Sequence, residues 1–93
     1  MNDTARLGPF LDELGRVRQW PVKRAKQLAL LRRMAGAFEP GRRYTEKEVN
    51  ARLNELHTFG DWAMLRRELC DLHLLAREPD GSAYWRVAAE HAA

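Results

Sequence analysis

The 93-residue chain predicts an α+β fold, mostly helical, in which three helices are followed by a two-stranded hairpin. Two observations carry that expectation. Apolar residues recur at spacings of three and four in three separate stretches, as amphipathic helices require. Near the C-terminus, Asp80-Gly81 divides two alternating segments, the strongest short-range hairpin signal.

Before the first of these helices, Pro9 suits the opening of a short helix that would place Phe10, Leu11, Leu14 and Val17 on one face and weaken at Gly15. Residues 1–20 are thus expected to be an N-terminal arm with a short helix, and residues 21–87 the core of a single domain spanning 1–93. Pro21 fits a first helical turn, and Leu28, Leu31, Met34, Ala35 and Phe38 then mark a helix over 22–37. The stretch "EPG" at 39–41 ends it.

Arg42 to Tyr44 has room for a very short strand. Thr45 and Glu48 then form a capping-box pattern, in which each side chain bonds a backbone N–H otherwise left free, so a second helix starts at Thr45 and buries Val49, Leu53 and Leu56. Asp61 is a good N-cap for a third helix, 61–73, whose buried face is Trp62, Leu65, Leu69 and Leu72. Strands over 74–78 and 83–87 pair around Asp80-Gly81. Arg77 and Arg86 then share a face with Leu75 and Tyr84, opposite Ala76 and Trp85. Helix, short strand, two helices and a hairpin is the order of a winged helix-turn-helix, the hairpin being the wing.

Charge placement is more informative than the net +3. Residues 1–38 hold eight Lys/Arg against three Asp/Glu, whereas residues 61–93 hold four against six. Seven cations and no acid fall within 15–33. Such a segment suits phosphate neutralisation, and Arg16, Arg18, Lys23, Arg24 and Lys26 are its candidate contacts; an ordinary solvated helix face is the plainer reading. In a DNA-binding winged helix the third helix enters the major groove, which would present Ala63, Met64, Arg66 and Arg67, with Arg77 and Arg86 on the wing. Against this, the third helix has three acids for two arginines, and Arg66 and Arg67 could instead pair with those acids or with Glu46 and Glu48 of the preceding helix. Tyr84, Trp85 and Trp20 read more readily as packing than as stacking platforms for bases.

Catalytic and metal chemistry find little footing. One cysteine excludes an internal disulfide, Cys70 and His73 lack zinc-ligand companions at a usual spacing, and neither a phosphate-cradling glycine loop nor a nucleophile elbow occurs. Neither an enzyme nor a cofactor is expected. A thiol sensor at Cys70 would need an exposed thiol of low pKa beside a cation. The longest apolar runs are too short to span a membrane, and a cytoplasmic location follows as the expectation.

The segments "WPVKR", "YTEKEVN", "LRREL" and "DGSAYWR" also carry a family resemblance. Over roughly residues 15–87 the chain resembles the bacterial domain of unknown function 2087, which occurs alone or attached to regulator-type winged helices of the ArsR class. The resemblance implies a winged-helix-like fold and an association with transcriptional regulation, and no established activity. The functional expectation is a nucleic-acid-binding module, with duplex DNA favoured over RNA. A homodimer would supply the two third helices that specific recognition normally uses. The alternative is a protein-interaction module or homodimerising adaptor of the same fold.

Overall fold

The computed structural model describes residues 7–88. Helix α1 runs Arg24–Ala35, strand β1 Arg43–Tyr44, helix α2 Glu46–Asn54, helix α3 Trp62–Asp71, and strands β2 and β3 Leu75–Arg77 and Tyr84–Arg86. The strands form one antiparallel sheet in the order β1-β3-β2. The protein is therefore α+β and mostly helical, in an arrangement compatible with a winged helix.

Helix starts follow the side chains that anchor them. Thr45 Oγ1 accepts the N–H of Glu48 at 3.1 Å, and Glu48 Oε1 accepts the N–H of Thr45 at 2.8 Å, completing the capping box. Asp61 Oδ1 accepts the N–H of Met64 at 3.3 Å at the head of α3. Helix α1 starts later than its sequence suggests: Lys23 is its N-cap, extended at ψ 129°, so Pro21 lies outside the helix and its carbonyl instead accepts Gln27 Nε2 at 2.7 Å. At the other end of α3, His73 takes the left-handed conformation at φ 59°, and the N–H of Leu74 closes back on Leu69 O at 2.9 Å.

The apolar stripes meet largely where periodicity places them, but Leu30 is buried in place of Leu28, and Leu56, Trp62 and Leu72 are only half-buried. Leu30, Leu31, Met34 and Phe38 pack with Val49, Leu53, Leu65 and Leu69, while Tyr44, Leu75 and Tyr84 close the core from the sheet. The hairpin keeps the register expected of a turn at Asp80-Gly81: Leu75 opposes Arg86, Ala76 opposes Trp85 and Arg77 opposes Tyr84. Glu78 N–H still bonds Ala83 O, and the turn is closed by Gly81 N–H on Glu78 O, with Gly81 at φ 76°.

The N-terminal arm departs from the sequence reading. In place of an amphipathic helix, a single 3-10 turn, Gly8–Phe10, leads into a tight reversal that pairs Leu11 with Val17. Asp12 makes the reversal: its Oδ1 accepts the N–H groups of Leu14 and Arg16, and its Oδ2 accepts Arg16 Nε at 2.8 Å. A short acceptor side chain that binds backbone two and four residues on offers the chain an alternative to helix, and Gly15 at φ 80° completes the bend. Leu14 is consequently 77% exposed, whereas Val17 is buried and bridges in parallel to His57.

Candidate nucleic-acid interface

Around α3, the buried stripe of Leu65 and Leu69 leaves Ala63, Arg67 and Asp71 turned outward, while Met64 packs half-buried against the core. One edge of that outward face meets the start of α1. There Arg24 Nη2 binds Glu68 Oε1 at 2.8 Å, while Arg24 Nη1 binds Gln27 Oε1 at 2.9 Å. The hydrogen bond that Arg24 donates to Glu68 raises the pKa of Arg24, against the opposing effect of desolvation. The other edge meets the hairpin across a cleft of about 300 Å³ whose walls include Arg66, Arg67, Cys70, Arg77 and Tyr84.

The ten expected contact residues thus separate into groups. Arg24 comes to α3 from α1, with Lys23 just before it as the N-cap, and Arg66, Arg67 and Arg77 converge on the cleft beside α3. Met64 is half-buried on the same helix. Lys26 leaves α1 about 200° around from Arg24, so it points away from that junction. Arg16 and Arg18 belong to the arm, Arg16 paired with Asp12 and Arg18 donating to the carbonyls of Pro9 at 2.8 Å and Leu11 at 3.3 Å. Arg86 is half-buried, and its Nη1 donates to Phe38 O at 3.2 Å, tying the hairpin to the chain after α1.

Arg66 and Arg67 divide the two roles open to them. Arg66 Nη1 donates to Asn50 Oδ1 and lies 3.8 Å from Glu46 Oε2, fixing the crossing of α2 and α3. Arg67 is exposed and has no hydrogen-bond or ion-pair partner among the described residues. Glu46 also accepts the Tyr84 hydroxyl at 2.9 Å; burial raises the Tyr84 pKa, and this bond to a carboxylate raises it further.

The aromatic side chains pack. Tyr84 is buried, Trp85 lies under the Arg43 guanidinium at 4.5 Å, and Trp20 packs on Phe59 with ring centroids 6.2 Å apart. Burial pushes the Cys70 thiol up, with Arg77 and Arg66 opposing, so this is not the low-pKa thiol that a sensor requires. Among the described residues no group of three His, Cys, Asp or Glu could hold a metal, and no helix is long and apolar enough to cross a membrane.

Sequence reasoning left Asn50, Glu68, Cys70 and Tyr84 out of the site. Asn50 and Arg66 are sixteen residues apart, Arg24 and Glu68 forty-four, and no local spacing signals either pairing.

A small α+β domain whose third helix lies between a basic helix start and an arginine-lined cleft is what these elements define. The chain belongs to the family described as an uncharacterized protein conserved in bacteria, DUF2087, whose model matches residues 16–86. No curated protein and no solved structure matches it.

Proposed function

We propose that this domain binds nucleic acid, duplex DNA in a transcriptional regulatory role, with α3 toward the groove and the start of α1 on the adjoining phosphates. The observation that carries this reading is the charge at the start of α1. A helix N-terminus is the positive end of its dipole, where acids stabilise and each cation costs roughly 0.3–1 kcal/mol. Helix α2 obeys that rule with Glu46 and Glu48, whereas α1 has no acid in its first turn and carries Lys23, Arg24 and Lys26 there. Stability alone would not choose those residues, and a polyanion relieves what they cost. Glu68 joins this positive end to the face of α3 that carries Arg67. On this reading the protein is not an enzyme, and it works in the cytoplasm.

Fluorescence anisotropy of a labelled mixed-sequence duplex over a salt series tests the proposal. Comparison with Lys23→Ala and with Arg67→Ala should show steeply salt-dependent binding that weakens in both, each lost phosphate contact lowering the log–log slope by about 0.9. No binding at low salt would refute it and favour a protein-interaction module.

A further inference from the structure

The three arginines of the cleft between α3 and the hairpin are held in different ways. Arg66 is anchored from behind by Asn50 and Glu46, and Glu46 is itself fixed by the Tyr84 hydroxyl. Arg77 is anchored on the opposite wall: Nη2 donates to Pro79 O at 3.0 Å, and the guanidinium lies 5.9 Å over the Tyr84 ring. Each anchor occupies one nitrogen and leaves the remaining donors without a partner among the described residues. Arg67 has all of its donors free. Among the described residues Asp71 is the carboxylate that lines the cleft and Glu46 stands behind Arg66, so three cations are set against two acids around about 300 Å³, a volume at the small end of ligand pockets.

Guanidinium groups so placed repel one another and keep planar donor forks aimed at open space. An oxyanion with several acceptor oxygens relieves the repulsion and takes up the donors, and little side-chain entropy is lost because Arg66 and Arg77 are already held. We propose that this cleft binds a single phosphate group, ligated by Arg67 and Arg77 with Arg66 supplying charge from the back wall. The group comes from a nucleic-acid backbone or from a phosphorylated small molecule; the first source rests on the nucleic-acid reading above, and the second stands without it.

Cys70, the single cysteine of the chain, lines the same cleft and reports on it. Alkylation of the full chain by neutral iodoacetamide is followed in inorganic phosphate and in chloride at matched ionic strength. The rate should fall about tenfold once phosphate reaches about ten times its Kd, because only unliganded protein reacts. Arg77→Ala and Arg67→Ala should each abolish that protection, and Arg33→Ala should leave it intact. Arg67 is exposed and has no hydrogen-bond or ion-pair partner among the described residues, so its variant remains informative even where Arg77→Ala unfolds. Equal rates in phosphate and chloride, or protection that survives Arg67→Ala, would overturn the inference.

A duplex in place of phosphate separates the sources. Protection by both, lost in the same variants, assigns the cleft to the backbone. Protection by phosphate with no duplex binding upholds the site for a small molecule and ends the nucleic-acid reading. Duplex binding with Cys70 unprotected by either ligand does the reverse.

Discussion

Replacing Glu68 with glutamine should strengthen duplex binding, although it removes an ion pair. In the wild type, Glu68 Oε1 occupies Arg24 Nη2 at 2.8 Å and sets a negative charge on the edge of α3. Arg24 would stay in place without it, since Gln27 accepts Nη1 at 2.9 Å and is itself fixed to Pro21 O at 2.7 Å. One further cation becomes available to phosphate. Each such contact adds about 0.9 to the slope of log K against log[salt], or about eightfold in affinity at 0.1 M relative to 1 M salt. The fold survives the change: the Arg24 and Glu68 side chains are 49% and 28% exposed, surface pairs contribute roughly 0–1 kcal/mol, and screening puts this one toward the lower end. Anisotropy titrations across a salt series read both affinity and slope, and the gain should largely vanish in an Arg24→Gln background. Unchanged or weaker binding by Glu68→Gln, at an unchanged slope, would refute the placement of α1 against the nucleic acid.

Three further outcomes concern the fold. His73→Gly should stabilise the domain, since a β-carbon at φ 59° costs about 1–2 kcal/mol of which glycine returns part, and about 1 kcal/mol raises Tm by about 4–8 °C in a scanning melt. Thr45→Ala should cost about 1 kcal/mol in urea unfolding, because the N–H of Glu48 loses its acceptor. At Asp12 desolvation raises the pKa, but the N–H and guanidinium of Arg16 and the N–H of Leu14 outweigh it and hold the carboxyl below the usual aspartate range. A depressed carboxyl stabilises the folded state above its unfolded pKa and loses that contribution as pH falls through its folded one. The Leu14 and Arg16 amide resonances should therefore titrate at lower pH than a free aspartate does, and Asp12→Asn should abolish the transition.

Elements written in local chemistry were legible in the sequence. The capping box at Thr45, the Asp61 cap and the Asp80-Gly81 turn each act within a few residues, and each is found in place, the hairpin in register. The arm was misread because its apolar spacing fits a helix, while the Asp12 carboxylate and Gly15 favour a reversal that bonds as many backbone groups locally. The basic segment reads as one block along the chain, but helix geometry divides it. Arg24 and Arg33 are nine residues apart, about 180° around α1, so one faces α3 while the other lies over Gly15, where Arg33 Nη2 would stand 3.2 Å from an added Cβ. A linear charge count cannot show that division. Nor could it show that Arg66 would be claimed by Asn50 and Arg67 left free, since that depends on how α2 crosses α3.

Pairing gives a sharper test of whether charge placement or charge number matters. Arg42 lies near Glu39 and Glu48, Arg43 binds Glu78 at 2.6 Å, and Arg52 is 3.5 Å from Glu55. These arginines and their acids compensate one another, so beyond a Debye length, about 10 Å at 0.1 M salt, they contribute little field. Lys23 has no such partner among the described residues and stands at the positive end of α1. Arg52→Ala and Lys23→Ala change net charge equally. If net charge alone governed attraction to a polyanion, both would weaken duplex binding alike. If the start of α1 is the contact, Lys23→Ala lowers the salt slope by about 0.9, whereas Arg52→Ala leaves it unchanged. Equal loss in the two variants, read from the same anisotropy series, would reduce the basic segment to a source of nonspecific attraction and remove the reason for placing α1 at the interface.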